Sequence, residues 1–165
     1  MPAAPHPPVS FAVGRLVVRF LWRHDRWAHE VDLPDGGSWR SVEGGDPDGG
    51  DPSWPASPVL TDLSRLDAQP AILGVGRAGR SHFSASVGRD PDDPDGVRFE
   101  IACRVHDLPG WLGSTYAGPD GVVRIAAARL PPGPPATVQW GYSLSGRGVR
   151  PILGAEVRRP QPPEH

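Results

Sequence analysis

The sequence has no lysine and no asparagine, one cysteine, one methionine and two tyrosines. A single cysteine, Cys103, excludes an internal disulfide, and no short Cys/His spacing of a structural zinc site occurs. Long apolar runs are also missing: the most apolar stretch, residues 11–22, is interrupted by Arg15 and Arg19. A membrane span needs about 20 apolar residues in a row, so no membrane association is expected. The opening Met-Pro-Ala-Ala-Pro-His-Pro-Pro lacks the basic start and apolar run of a secretory signal. A reducing, cytoplasmic location is the expectation. All 17 basic residues are arginine, and the net charge of -2 leaves no broad electrostatic case for nucleic acid.

What the chain does have is turn formers: 21 Gly and 22 Pro, concentrated at residues 2–8, 34–58, 88–96, 130–135 and 160–163, with apolar runs between them. Short runs bounded by such residues are the pattern of a β-sandwich or barrel. The runs alternate with the period-two rhythm of a strand with one buried face. Val97, Phe99, Ile101, Cys103 and Val105 share one side, against Arg98, Glu100 and Arg104. Residues 83–87, 122–128 and 136–144 read the same way, and residues 16–22 and 27–33 read as a hairpin around a turn at 23–25. Residues 58–66 fit either a strand or a short helix. The expected fold is all-β: an antiparallel β-sandwich or partly open barrel of about eight strands, with at most one short helix near residues 58–67. One domain over residues 11–157 is expected between disordered tails, 1–10 and 158–165.

Several motifs invite a chemical reading that their context refuses. Gly74-Val-Gly76-Arg-Ala-Gly79 satisfies the dinucleotide pattern GxGxxG, but a β run follows where a helix must receive the pyrophosphate. A hairpin turn is expected there, with Gly76 and Gly79 at positive φ, and no cofactor. The acidic stretches 46–51 and 90–96 lack calcium-loop spacing and read as solvated, mobile turns rather than metal sites. His24, Asp25, His29, His82, His106 and Cys103 form no metal-ligand spacing, so no metal is expected; His29 falls on a core face. Gly141-Tyr-Ser143-Leu-Ser145 lacks the final glycine of a nucleophile elbow. Cys103 sits on an apolar strand face, where cysteine serves as a small hydrophobe.

Six tryptophans are many for this length, and Trp39, Trp54 and Trp111 fall in or near Gly/Pro segments. Loop tryptophans either plug a sandwich end or are presented for recognition, with plugging the better expectation, since an exposed indole is costly. The sharpest candidate site joins Arg77, Arg80 and His82, at the expected turn, with Trp111 and Tyr116 from the loop segment 109–118. Charge-assisted donors beside aromatic surface suit an acidic peptide or small anion. The chain therefore reads as a non-catalytic binding or adaptor domain whose loops recognise a protein or small anionic ligand. The rivals are a small β-fold hydrolase or lyase using His29 or His82, and a carbohydrate-binding module.

Overall fold

The computed structural model describes residues 5–44, 54–66 and 68–158, and among these there are thirteen strands and no helix. The strands are β1 (Val9–Val13), β2 (Leu16–Arg23), β3 (Arg26–Asp32), β4 (Ser38–Ser41), β5 (Asp62–Leu66), β6 (Ala71–Ala78) and β7 (Ser81–Asp90). They continue with β8 (Asp93–Val105), β9 (Gly113–Gly118), β10 (Gly121–Ala127), β11 (Ala136–Ser145), β12 (Gly148–Ile152) and β13 (Ala155–Arg158). All pairings are antiparallel. One sheet has the order β1-β2-β3-β4-β9-β10-β13 and the other β12-β11-β8-β7-β6-β5, and the two are not closed into a barrel. The fold is an all-β sandwich.

Period-two alternation explains why the sheets pack as they do. Along β8, Val97, Phe99, Ile101, Cys103 and Val105 are buried while Glu100 and Arg104 face solvent. Val138, Trp140, Tyr142 and Leu144 of β11 lie on the same layer, and Phe99 stacks on Tyr142 at 5.1 Å. Burying one such side chain is worth about 1.5–3 kcal/mol. Polar bridges fix the sheets against each other: the Trp39 indole donates to the Ser145 carbonyl at 3.0 Å, and the Trp140 indole to Ser114 Oγ at 3.1 Å.

The number of strands exceeds the expected eight because short strands such as β4, β12 and β13 carry too few residues to show alternation in sequence. Segment 58–66 holds no helix: β5 occupies Asp62–Leu66, and the preceding residues 55–60 are a buried crossing between the sheets. β1 starts at Val9, inside the expected tail. The β6–β7 turn is the expected hairpin, a two-residue turn led by Gly79 at φ 56°. Gly76 plays a different part. It lies within β6 without positive φ, and a Cβ there would sit 2.1 Å from the Val59 carbonyl oxygen. Its missing side chain lets the crossing segment press onto the sheet.

The acidic turn 90–96 is not the loose, solvated loop expected. Asp90 is fully buried and bonded to Arg150, Asp93 is nearly buried and bonded to Arg147, and each accepts a backbone N–H two residues on. Burial pushes the Asp90 carboxyl up, but hydrogen bonds from Ser143, the Asp92 N–H and Arg150 outweigh it and leave it below the ordinary value. The other acidic stretch, 46–51, lies outside the described residues.

Candidate functional site

The five residues singled out from sequence do not come together. Tyr116 is on β9, not in a loop, and is completely buried. Trp111 is also buried, its indole N–H donating to the Ala56 carbonyl at 3.3 Å and its ring covered by the Arg124 guanidinium at 4.0 Å. Trp39 is buried and Trp54 half-buried, so the loop tryptophans plug the sandwich. Arg77 and His82 do meet, as cross-strand partners on the outer face of the six-stranded sheet. Arg80 turns away and pairs with Asp107 at 3.1 Å.

A larger cavity than the one beside Arg77 and His82 lies elsewhere, where the seven-stranded sheet splits. β3 and β4 pair only through Asp32↔Ser38, Val31↔Trp39 and Glu30↔Arg40. Past Arg40, β4 follows β9 instead: Ser41 faces Tyr116, and the Val42 N–H donates to the Thr115 carbonyl at 2.8 Å. The backbone N–H of His29 is satisfied by Ser41 Oγ at 2.9 Å, and that of Trp27 by the Leu60 carbonyl of the crossing segment at 2.8 Å. A wedge opens between the diverging strands. Its cavity of about 590 Å³ is bounded by the β2–β3 turn, by the outward side chains Leu21, Arg23, Arg26, Glu30 and Arg40, and by Ser41, Glu43 and Gly44 at the end of β4.

The charges around it are unevenly matched. Arg26 pairs with Asp25 at 2.9 Å, and Arg23 approaches Glu30 at 3.7 Å. Arg40 is exposed and has no ion-pair partner among the described residues. Glu43 accepts a hydrogen bond from the Ser41 hydroxyl at 2.8 Å through Oε1, while its Oε2 is buried without a partner among the described residues. Burial, only partly offset by Ser41 and Arg26, pushes this carboxyl up to about 7. Arg26 Nη1 and His29 Nδ1 are likewise buried without a partner among the described residues. All three of these atoms belong to residues lining the same cavity.

Behind the wedge runs a buried polar chain. His29 Nε2 and the Tyr116 hydroxyl lie 2.6 Å apart, as do the Tyr116 and Tyr142 hydroxyls. Burial pushes the His29 imidazole down to about 4, so it is neutral at pH 7. Both tyrosines are pushed up, by burial first, with the Glu43 carboxylate adding to it, so the field of the cavity reaches this chain. Burial also pushes the Cys103 thiol up to about 12, making it a poor nucleophile. Among the described residues no three His, Cys, Asp or Glu side chains converge as a metal site, and no helix is long and apolar enough to cross a membrane.

The wedge residues were missed because Arg26, Arg40 and Ser41 look ordinary in sequence. One signal was present: Ser41 and Glu43 share parity with the buried Trp39, so alternation carries a carboxylate toward the core face. A second lies in the β2–β3 turn, where His24 takes a φ of 60° that favours Gly or Asn, at the lip of the cavity. Comparison of the chain with protein-family models, curated proteins and solved structures found no match.

Proposed function

We propose that this chain is a non-catalytic binding domain that holds a small oxyanion-bearing molecule in the wedge between β3 and β4. The observation that carries the reading is that three residues around one cavity, Arg26, Glu43 and His29, each hold a buried polar atom, Nη1, Oε2 and Nδ1, with no hydrogen-bond partner among the described residues. Buried polar atoms are nearly always hydrogen-bonded, so a cluster of exceptions marks a place for a polar partner. The choice of an anion follows from the wall. Among the described residues Arg40 has no carboxylate of its own and Arg26 has a guanidinium nitrogen to spare, and Glu43 near neutrality is protonated about half the time and then donates its O–H to an oxyanion.

Binding rather than catalysis is favoured by Ser41. Its hydroxyl accepts from the His29 N–H and donates to the Glu43 carboxyl, so it serves as a framework bridge that closes the diverging strands. The test is isothermal titration of inorganic phosphate, glycerol 3-phosphate and succinate into the wild type and Arg40→Ala. Saturable binding of at least one anion, weakened about tenfold or more by the substitution, is expected for a lost charge-assisted contact. No heat with any of the three, or equal affinity in the variant, overturns the reading.

A further inference from the structure

We propose that the outer face of the six-stranded sheet is a second, independent docking surface, and that its partner is an extended acidic polypeptide segment. The register sets Arg77 against His82, His82 against Arg104 and Arg104 against Thr137, across β6, β7, β8 and β11. Arg77, His82 and Arg104 are exposed, while Phe83, Cys103 and Val138 beside them point into the core, so the three basic groups stand side by side on the solvent face. The two guanidiniums stand two strands apart with the imidazole between them, so positive charge is concentrated on this part of the face. Elsewhere on this sheet such charge is balanced, as by Arg98 with Glu100 at 2.9 Å. Here the guanidiniums reach only neutral acceptors among the described residues: Arg77 the Gly79 carbonyl at 2.9 Å, Arg104 the Thr137 hydroxyl at 3.4 Å.

The surface under this row is shaped as well as charged. A shallow concavity of about 490 Å³ has Ser84 and Ala102 in its wall and Val75, half-exposed, at its shoulder. Small residues leave room for a backbone to lie close to the sheet, and hydroxyls of Thr61, Ser84 and Thr137 surround it. Four strands at about 4.8 Å spacing span roughly 15 Å, the length of four to five extended residues. Carboxylates on alternate residues would meet the basic row, with the intervening side chains over Val75. A polynucleotide fits less well, because the row offers two guanidiniums and, among the described residues, the concavity is lined by no exposed indole or phenol ring on which bases could stack.

The test is fluorescence anisotropy with a labelled peptide of alternating Glu and Thr, about twelve residues long so that it exceeds the width of the surface. At low salt it is expected to bind the wild type and to bind the Arg77→Ala/Arg104→Ala variant about tenfold more weakly. Arg89→Ala/Arg129→Ala, which removes equal charge at exposed positions elsewhere, is expected to bind like the wild type. Melting curves check that both variants fold, and His82→Gln, expected to weaken binding less, supplies a second reading. Equal affinity in the Arg77/Arg104 variant, an equal loss in the control, or a single-stranded oligonucleotide binding tighter than the peptide would overturn the proposal.

Discussion

Replacing Glu43 with Gln isolates the electrostatic cost of the wedge. In the fold this carboxyl rises from its ordinary 4.5 to about 7 through burial, so the folded state binds a proton more tightly than the unfolded chain. Stability from this group is fully present below pH 4.5 and is lost as pH rises through 7. At 1.36 kcal/mol per pH unit the loss totals about 3 kcal/mol. His29 works in the opposite sense: burial lowers it from 6.5 to about 4, so its contribution is present above pH 6.5 and is lost as pH falls through 4, by a similar amount of about 3 kcal/mol. Between pH 4.5 and 6.5 the two slopes nearly cancel in the wild type. Glu43→Gln keeps the shape and an acceptor for the Ser41 hydroxyl but removes the titration. Its stability is expected to match the wild type at pH 4, climb steadily to pH 6.5, and exceed the wild type at pH 8 by up to about 3 kcal/mol, or roughly 6–12 °C in Tm for a domain of this size. Urea unfolding followed by tryptophan fluorescence at pH 4, 5, 6, 7 and 8 measures this. A variant no more stable than the wild type at pH 8, or a difference that does not change with pH, would refute the reasoning.

Three further outcomes test how the framework is held. Tyr116→Phe strips the common partner from His29 Nε2 and the Tyr142 hydroxyl, so a loss of about 1–3 kcal/mol is expected in denaturant titration. Gly76→Ala drives a Cβ into the Val59 carbonyl, and a loss above about 2 kcal/mol, with the crossing segment shifted, should appear in Tm and in protease sensitivity. Arg150→Ala leaves the Asp90 carboxylate buried without its guanidinium, so a loss of about 3 kcal/mol at pH 7 is expected. The depressed Asp90 stabilises the fold above its ordinary value of 3.8 and ceases to do so as pH falls through its folded value, so this difference should shrink in acid.

The sandwich was legible because its longest strands announce themselves: the alternation from Val97 to Val105 in β8 needs no tertiary information to assign a buried face. The turn-former rule misled at 109–118. Trp111, Gly113 and Gly118 made the segment look like a loop, whereas β9 gains its strand character from β4 and β10, which no local pattern records. The Asp-Pro-rich turn at 90–96 looked solvated because its partners, Arg147 and Arg150, lie more than 50 residues away in sequence. Of the candidate site, the Arg77–His82 pair was legible from a hairpin register, but Arg104, one strand further, was not. The wedge was invisible for a related reason: it exists because β4 leaves β3 for β9 after Arg40, and divergence between strands is a property of the sheet and not of either sequence.

Amide NMR shift mapping with glycerol 3-phosphate at pH 6.5, where Glu43 is largely protonated, reports most directly on whether the wedge is a binding site. The expected result is saturable shifts confined to Arg26, Ala28, His29, Ser41 and Gly44 around the cavity, with the Arg104 and Thr137 amides on the opposite sheet unmoved and the response lost in Arg40→Ala. Shifts scattered over the arginine-rich surface, or none at the wedge while other residues respond, would contradict the account.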